Sequence, residues 1–125
     1  MILTVTLNPA LDKTVSVSRL TINGVNRVTS TRLDAGGKGI NVSKTVRSLG
    51  GETLAVGILG GESGIYIQHC MEKLGFPGSF CIVDAPTRTN IKILDNSMHT
   101  STEINERGEP VDEATLDAVF ASVKR

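Results

Sequence analysis

The chain has 125 residues, enough for one small domain with a buried core. Its 13 Lys and Arg residues balance its 13 Asp and Glu residues, and one Tyr, three Phe and no Trp leave few side chains on which bases could stack. Composition therefore favours neither a nucleic-acid nor a membrane partner, and we expect a cytoplasmic protein.

The first third of the chain predicts a buried strand followed by a hairpin. The near-continuous apolar run at 2–7 is typical of a strand covered on both faces. Polar and apolar residues alternate over 14–18, a turn signal follows at Asn23-Gly24, and a second β-rich segment covers 26–33. We expect these two segments to form a hairpin with one solvent-exposed face.

A helix is predicted at 39–49, directly after a cluster of glycines. Its apolar residues Val42, Val46 and Leu49 share one face at helical spacing. We expect that face to be buried and Lys44 to lie outside it.

The rest of the chain alternates strands and helices. Strands are predicted at 53–59, 80–83, 90–94 and 100–104, and helices at 63–74 and 112–124. The expected core positions of these helices are Ile67, Met71, Leu74, Leu116, Val119, Phe120 and Val123. Alternation of strand and helix favours an α/β fold with a parallel sheet, to which the early hairpin is an addition.

The glycine-rich stretch "DAGGKGINVSK" at 34–44 raises the question of a nucleotide site. A Walker-type loop ending at Lys38 needs glycine at position 32 and Ser or Thr at position 39, where the chain has Arg32 and Gly39. A dinucleotide-binding fingerprint needs a third glycine where the chain has Val42. Both nucleotide-binding loops are therefore excluded.

Gly36 and Gly37 still permit close backbone approach just before a helix whose first N–H groups are unpaired. Lys38 and Asn41 in the first turn favour an anion site there, and the alternative is a glycine-rich turn without a ligand. The two Cys and two His residues show no metal-ligand spacing, so no metal site is predicted.

Two further side chains are candidates for a binding site. The carboxylate of Asp12 is suited to accept hydrogen bonds from a polyol, or else caps its own turn. The guanidinium of Arg88 offers a planar fork of donors suited to phosphate, or else is a solvated surface group.

Seven short motifs occur in a fixed order along the chain. They are "TLNPALD" (6–12), "NRV" (26–28), "AGGKGINVS" (35–43), "LGG" (49–51), "GILGGESG" (57–64), "TRTN" (87–90) and "TEIN" (102–105). Together they resemble the amino-terminal part of the phosphofructokinase B group of the ribokinase-like sugar kinases. Within that group the set is most similar to 1-phosphofructokinase and tagatose-6-phosphate kinase.

The resemblance implies a partial three-layer ribokinase-like core with the hairpin at 14–34 projecting as a lid that is often used in dimerisation. It implies a sugar-phosphate substrate and, by position, a set of substrate-binding residues: Asp12, Arg27, Gly36, Gly37, Lys38, Asn41 and Arg88. In that family the aspartate binds sugar hydroxyls, the glycine loop binds the substrate, and the arginine of "TRTN" binds its phosphate. Arg27 matches a basic position of the lid.

The resemblance also implies an activity for the complete enzyme, the ATP- and Mg²⁺-dependent conversion of fructose 1-phosphate to fructose 1,6-bisphosphate. The family's ATP site and catalytic aspartate lie in a carboxy-terminal part, and the aspartate belongs to a Gly-Ala/Ser-Gly-Asp motif that does not occur here. We therefore expect residues 1–125 to be the substrate-binding part, without a catalytic residue, and inactive alone. The alternatives are a tagatose-6-phosphate kinase and a non-catalytic module that only binds sugar phosphate or dimerises.

Overall fold

A computed structural model describes residues 1–124. Its elements in chain order are β1 (Ile2–Thr6), β2 (Ala10–Val17), β3 (Val28–Gly36), α1 (Lys38–Ser48), β4 (Thr53–Gly60), α2 (Gly61–Leu74), β5 (Gly78–Val83), β6 (Arg88–Asp95), β7 (Thr100–Asn105) and α3 (Glu113–Val123). Within this described part, no helix is long and apolar enough to cross a membrane.

The core is a parallel sheet in the order β1-β4-β5 with helices on both faces. Alternate residues of β4 face opposite sides. Ala55 and Leu59 pack in one cluster with Ile67 and Met71 of α2, whereas Val56 packs in a second cluster with α3. The predicted α/β fold with three layers is therefore confirmed.

The buried face of α1 differs from the prediction. Val42 is 49% exposed and Leu49 is 82% exposed, and the buried residues are Ile40 and Ser43. The prediction was wrong because helical spacing does not reveal which stripe meets the sheet. Here the buried stripe includes a serine whose hydroxyl lies 2.7 Å from the hydroxyls of two strand threonines, Thr4 and Thr53. These hydrogen bonds satisfy the three hydroxyl groups of Thr4, Ser43 and Thr53, whereas the buried hydroxyl of Thr6, next to Gly39, has no partner among the described residues.

Lys44 was predicted to lie outside but is half-buried, and its ammonium group donates to the backbone carbonyl of Ala35. Two expected core positions of the later helices are also exposed, Leu74 at the end of α2 and Phe120 on α3. The remaining expected positions of these two helices are buried or half-buried.

The strand β1 was predicted to be buried and is not. Leu3 and Val5 are 38% and 45% exposed, and only Thr4 and Thr6 are buried. The cause is position, because β1 lies at the end of the sheet and α3 packs on β4 and β5. Its apolar residues therefore form an open face beside α3.

The predicted hairpin is present but longer than expected, and it belongs to a larger sheet. Strands β2 and β3 pair antiparallel from Ala10↔Gly36 to Val17↔Val28. Strand β2 also pairs in parallel with β6, which pairs antiparallel with β7, giving the order β3-β2-β6-β7. We refer to these four strands as the second sheet.

The carboxylate of Asp95 joins the β6–β7 turn to the loop that follows β2. Its Oδ2 accepts the backbone N–H of Leu20 at 3.0 Å, and its Oδ1 accepts the N–H groups of Ser97 and Met98 and the Ser97 hydroxyl. The backbone hydrogen bond from Leu20, followed by those from Met98 and Ser97, lowers the pKa of Asp95 from 3.8 to about 2. The ionised carboxylate is therefore the form that this turn stabilises.

We expect Asp95→Asn to destabilise the second sheet in a pH-dependent way. Because folding lowers the pKa, the stabilisation is complete above pH 3.8 and is lost as the pH falls towards about 2. In urea unfolding, the difference in free energy of unfolding between wild type and Asp95→Asn should have its full value at neutral pH. It should decrease as the pH falls from 3.8 to about 2. The matched control is Asp117→Asn, on an exposed position of α3. An equal gap at all pH values would contradict this role for the carboxylate.

Candidate functional site

One face of the second sheet carries two rows of polar side chains. Cross-strand pairing aligns Asp34, Asp12, Asn90 and Asn105 in one row and Arg32, Thr14, Lys92 and Glu103 in the next. Registered partners point to the same side of a sheet, so four strands contribute to a single polar surface.

A cavity of about 450 Å³ lies between this polar surface and the start of α1. Residues lining it are Asp12, Lys13, Thr14, Arg32, Asp34, Gly37, Lys38, Asn41, Arg88, Asn90, Ile91, Lys92, Leu94, Glu103 and Asn105. We call it the polar cavity. Its lining residues include five Lys or Arg and three Asp or Glu residues, and one pair, Arg32 and Asp34, is already joined at 2.8 Å. The cationic excess and the hydrogen-bonding groups suit an anionic, hydroxyl-bearing ligand.

The glycines before α1 bring the backbone and Asp12 close together. A Cβ atom on Gly36 would lie 2.1 Å from Oδ2 of Asp12, so the carboxylate occupies space that any side chain would fill. Gly37 precedes the helix with φ 113°, a conformation that favours glycine. The N-cap residue Gly37 has no side chain, and within residues 1–124 no side-chain capping bond to the first turn of α1 is present, so its N–H groups are available at the edge of the polar cavity.

The guanidinium of Arg88 holds two loops at the edge of the same cavity. It donates to the backbone carbonyls of Asn8 at 3.0 Å and of Pro9 and Glu106 at 3.3 Å. These bonds fix the plane of the guanidinium and use only part of its donor capacity.

Five of the seven predicted site residues line the polar cavity: Asp12, Gly37, Lys38, Asn41 and Arg88. Gly36 is buried directly beneath Asp12. Arg27 is not among the lining residues, and it is exposed at the end of the loop that joins β2 to β3. Its predicted role stays a prediction.

Several lining residues were missed, above all Asn90, Lys92 and Glu103. Their signal is the two-residue spacing of polar side chains along strands, as in Asp12/Thr14 and Asn90/Lys92. Strand alternation puts the polar residues of each strand on one face of that strand. Only the pairing of β2 with β6 brings the polar residues of the two strands side by side.

A second cavity of about 280 Å³ lies at the carboxyl ends of β1, β4 and β5, with Leu7, Gly60 and Val83 among its lining residues. Among the described residues, only Arg88 lines both cavities. Within residues 1–124, no three His, Cys, Asp or Glu side chains form a group that could hold a metal ion.

Known proteins are similar to this chain in sequence and in fold. The chain is 37% identical over 124 residues to 1-phosphofructokinase of Vibrio cholerae, covering 99% of this chain and 39% of that protein. It is 38% identical over 112 residues to tagatose-6-phosphate kinase of Staphylococcus epidermidis, covering 90% and 36%. Phosphofructokinase-2 of Escherichia coli in complex with fructose-6-phosphate has the same fold, with a TM-score of 0.93 at 24% identity over 98% of this chain and 41% of that one.

The chain thus spans about two fifths of the length of the relatives that it matches. The family model described as pfkB family carbohydrate kinase matches residues 5–124, which is nearly the whole chain. On this match and the two curated relatives, the chain belongs to the pfkB family of carbohydrate kinases.

Proposed function

We propose that this chain is the sugar-phosphate-binding part of a 1-phosphofructokinase-like enzyme. In the complete enzyme the γ-phosphoryl group of ATP would pass to the C6 hydroxyl of fructose 1-phosphate. The observation that carries the proposal is the convergence of Asp12, Lys38, Asn41 and Arg88 from three separate elements on one polar cavity.

The phosphate of the ligand would lie at the start of α1. The free N–H groups of the first turn and the helix dipole favour an anion, and Lys38 and Arg88 add cationic donors. Because backbone carbonyls already fix the Arg88 guanidinium, little side-chain entropy is lost when its remaining N–H groups bind phosphate.

The sugar would lie against the second sheet. The Asp12 carboxylate accepts hydrogen bonds from its hydroxyls, and Asn41 is placed to donate or accept at the other side of the cavity. The second sheet would then cover the sugar as a lid, and we propose that the same sheet contributes to a homo-oligomer. Phosphoryl transfer depends on a correctly positioned acceptor substrate, and this part of the site would provide that positioning.

ATP and Mg²⁺, which the family implies, do not fit the residues that the structure describes. Residues 1–124 hold no three-residue metal cluster, and the loop at 36–39 departs from both nucleotide-binding spacings. We therefore propose only ligand binding for this chain, and with ATP, Mg²⁺ and fructose 1-phosphate it should form no ADP at the rate of an ordinary kinase.

Titration calorimetry of the chain tests the proposal. Fructose 1-phosphate should bind more tightly than inorganic phosphate. Asp12→Asn should lower the affinity for fructose 1-phosphate and leave the affinity for inorganic phosphate unchanged, because only the sugar hydroxyls bind to the carboxylate. Asp117→Asn should match wild type for both ligands. Equal affinities for the two ligands would show that the sugar contributes nothing to binding and would contradict the proposal.

Tagatose 6-phosphate is the second candidate ligand, because the tagatose-6-phosphate kinase relative is as similar as the 1-phosphofructokinase one, at 38% against 37% identity. The motifs "TRTNIKI" and "TEIN" resemble those of 1-phosphofructokinases, so we expect fructose 1-phosphate to bind more tightly in the same titration. A reversed order of affinities would assign the chain to the other activity.

Gly36→Ala should weaken the contact between Asp12 and the sugar without lowering the stability of the fold. Its Cβ would lie 2.1 Å from Oδ2 and 2.7 Å from Cγ of Asp12, so we expect the whole carboxylate to rotate away from its present position. We expect an almost unchanged melting temperature and a fructose 1-phosphate affinity about 10- to 150-fold lower, the loss of a hydrogen bond to a charged group. Gly24→Ala, in the exposed loop of the hairpin, is the control. Wild-type affinity in Gly36→Ala would place the sugar away from Asp12.

A further inference from the structure

Asn90 lies between two neighbours on the polar face of the second sheet. It is half-buried on β6, in register with Asp12 on β2 and with Asn105 on β7. The backbone N–H of Glu106 donates to its Oδ1 at 3.2 Å, and its Nδ2 lies 3.5 Å from Oδ1 of Asp12.

The contact with Glu106 determines which way the amide points. A backbone N–H needs an acceptor, so the carbonyl oxygen of Asn90 must face Glu106 and its NH₂ group must face Asp12. The Asn90 side chain therefore presents donors to the carboxylate and to the polar cavity beside it.

The separation of 3.5 Å between Asn90 and Asp12 is long for a direct hydrogen bond. A ligand hydroxyl group placed at the cavity edge of this pair would accept from the amide and donate to the carboxylate. A hydroxyl uses both its donor and its acceptor in that arrangement, whereas a phosphate oxygen offers no proton to Asp12.

We propose that Asn90 and Asp12 together form a hydroxyl-binding pair, in which Asn90 binds the sugar and also positions the carboxylate. The inference rests on the proposed function, because it assumes that the ligand in the polar cavity is a sugar phosphate. It adds a specificity-determining residue on β6 to the residues predicted from the sequence.

The comparison of two variants tests the pair. Asn90→Asp keeps the acceptor for Glu106 and the size of the side chain, but it places a second carboxylate against Asp12. Asn90→Ala removes the donor without adding charge. We expect fructose 1-phosphate affinity to fall about 3- to 10-fold in Asn90→Ala, the loss of a neutral hydrogen bond, and further in Asn90→Asp.

A purely space-filling role gives the opposite order, with the isosteric Asn90→Asp closer to wild type. Asn96→Asp, on the exposed β6–β7 turn, controls for the added charge and should bind as wild type does. Affinity for Asn90→Asp equal to or above that for Asn90→Ala overturns the proposal.

A ligand-free measurement keeps this inference separate from the proposed function. In the NMR spectrum of the chain, Asp12→Asn should shift the side-chain NH₂ resonances of Asn90 and leave those of Asn96 in place. Unmoved Asn90 resonances overturn the positioning contact whatever the chain binds. If wild type does not bind fructose 1-phosphate but the Asn90 resonances do shift in Asp12→Asn, the contact between Asn90 and Asp12 is supported. The sugar-phosphate function and the recognition of a hydroxyl group are then both rejected.

Discussion

Arg88→Ala is expected to lower the affinity for fructose 1-phosphate about 10- to 150-fold, which corresponds to the roughly 1.5–3 kcal/mol of a charge-assisted hydrogen bond. The affinity for inorganic phosphate should fall by a similar factor, because the guanidinium is expected to contact the phosphate and not the sugar. Calorimetry with both ligands measures the effect. This pattern distinguishes Arg88 from Asp12, whose replacement should affect the sugar phosphate alone.

Arg88 also has a structural role, since it donates to the carbonyls of Asn8, Pro9 and Glu106. Arg88→Ala should therefore lower the melting temperature as well. Arg88→Lys retains the charge but not the planar fork, so it should recover only part of the affinity. Arg47→Ala, on the exposed side of α1, is the control. A lowered melting temperature with unchanged affinity for both ligands would limit Arg88 to holding the loops.

The second large effect expected is association of the chain with itself through β1. In the described part of the chain this strand pairs only with β4, and Leu3 and Val5 face the α3 side of the sheet while remaining 38% and 45% exposed. Unpaired strand edges and apolar patches both favour association. Covering about 400 Å² of apolar surface contributes roughly 10 kcal/mol at 25 cal/mol/Å² before the costs of association.

Analytical ultracentrifugation at high micromolar concentration measures this association. Val5→Lys should shift the chain towards monomer, because the ammonium group would have to be buried in the interface. Ile22→Lys, in the loop between β2 and β3 where Ile22 is 83% exposed, reports association through the second sheet instead. A compact wild-type monomer with an ordinary cooperative melt would contradict the prediction for both surfaces.

The positions of the elements followed from local signals in the sequence. The helix predicted at 63–74 ends where Gly75 takes the left-handed conformation with φ 80°, and the helix predicted at 112–124 begins after Asp112, whose carboxylate accepts the N–H of Thr115 at 2.7 Å. Such turns and caps depend on a few adjacent residues, which is why they were predictable.

The burial of α1 and β1 did not follow from local signals. Val42 is exposed because a stripe containing Ser43 meets the sheet, and Val5 is exposed because β1 is the end strand. Both facts depend on which elements become neighbours, and apolar periodicity carries no such information.

The candidate site divides in the same way. The glycine loop and Asp12 have recognisable motifs, whereas Asn90 reaches Asp12 only through a parallel pairing between strands that lie 78 residues apart in the chain. Isolated polar residues on strands are common, so Asn90 could not be selected from the sequence alone.

The most direct test of the account is to map ligand binding onto the backbone amides by NMR during titration with fructose 1-phosphate. We predict saturable shifts at residues 36–41, around the start of α1, and at Asp12, Arg88 and Asn90. Shifts confined to the second cavity, around Gly60 and Val83, or the absence of saturable shifts, would contradict the assignment of the polar cavity as a sugar-phosphate site.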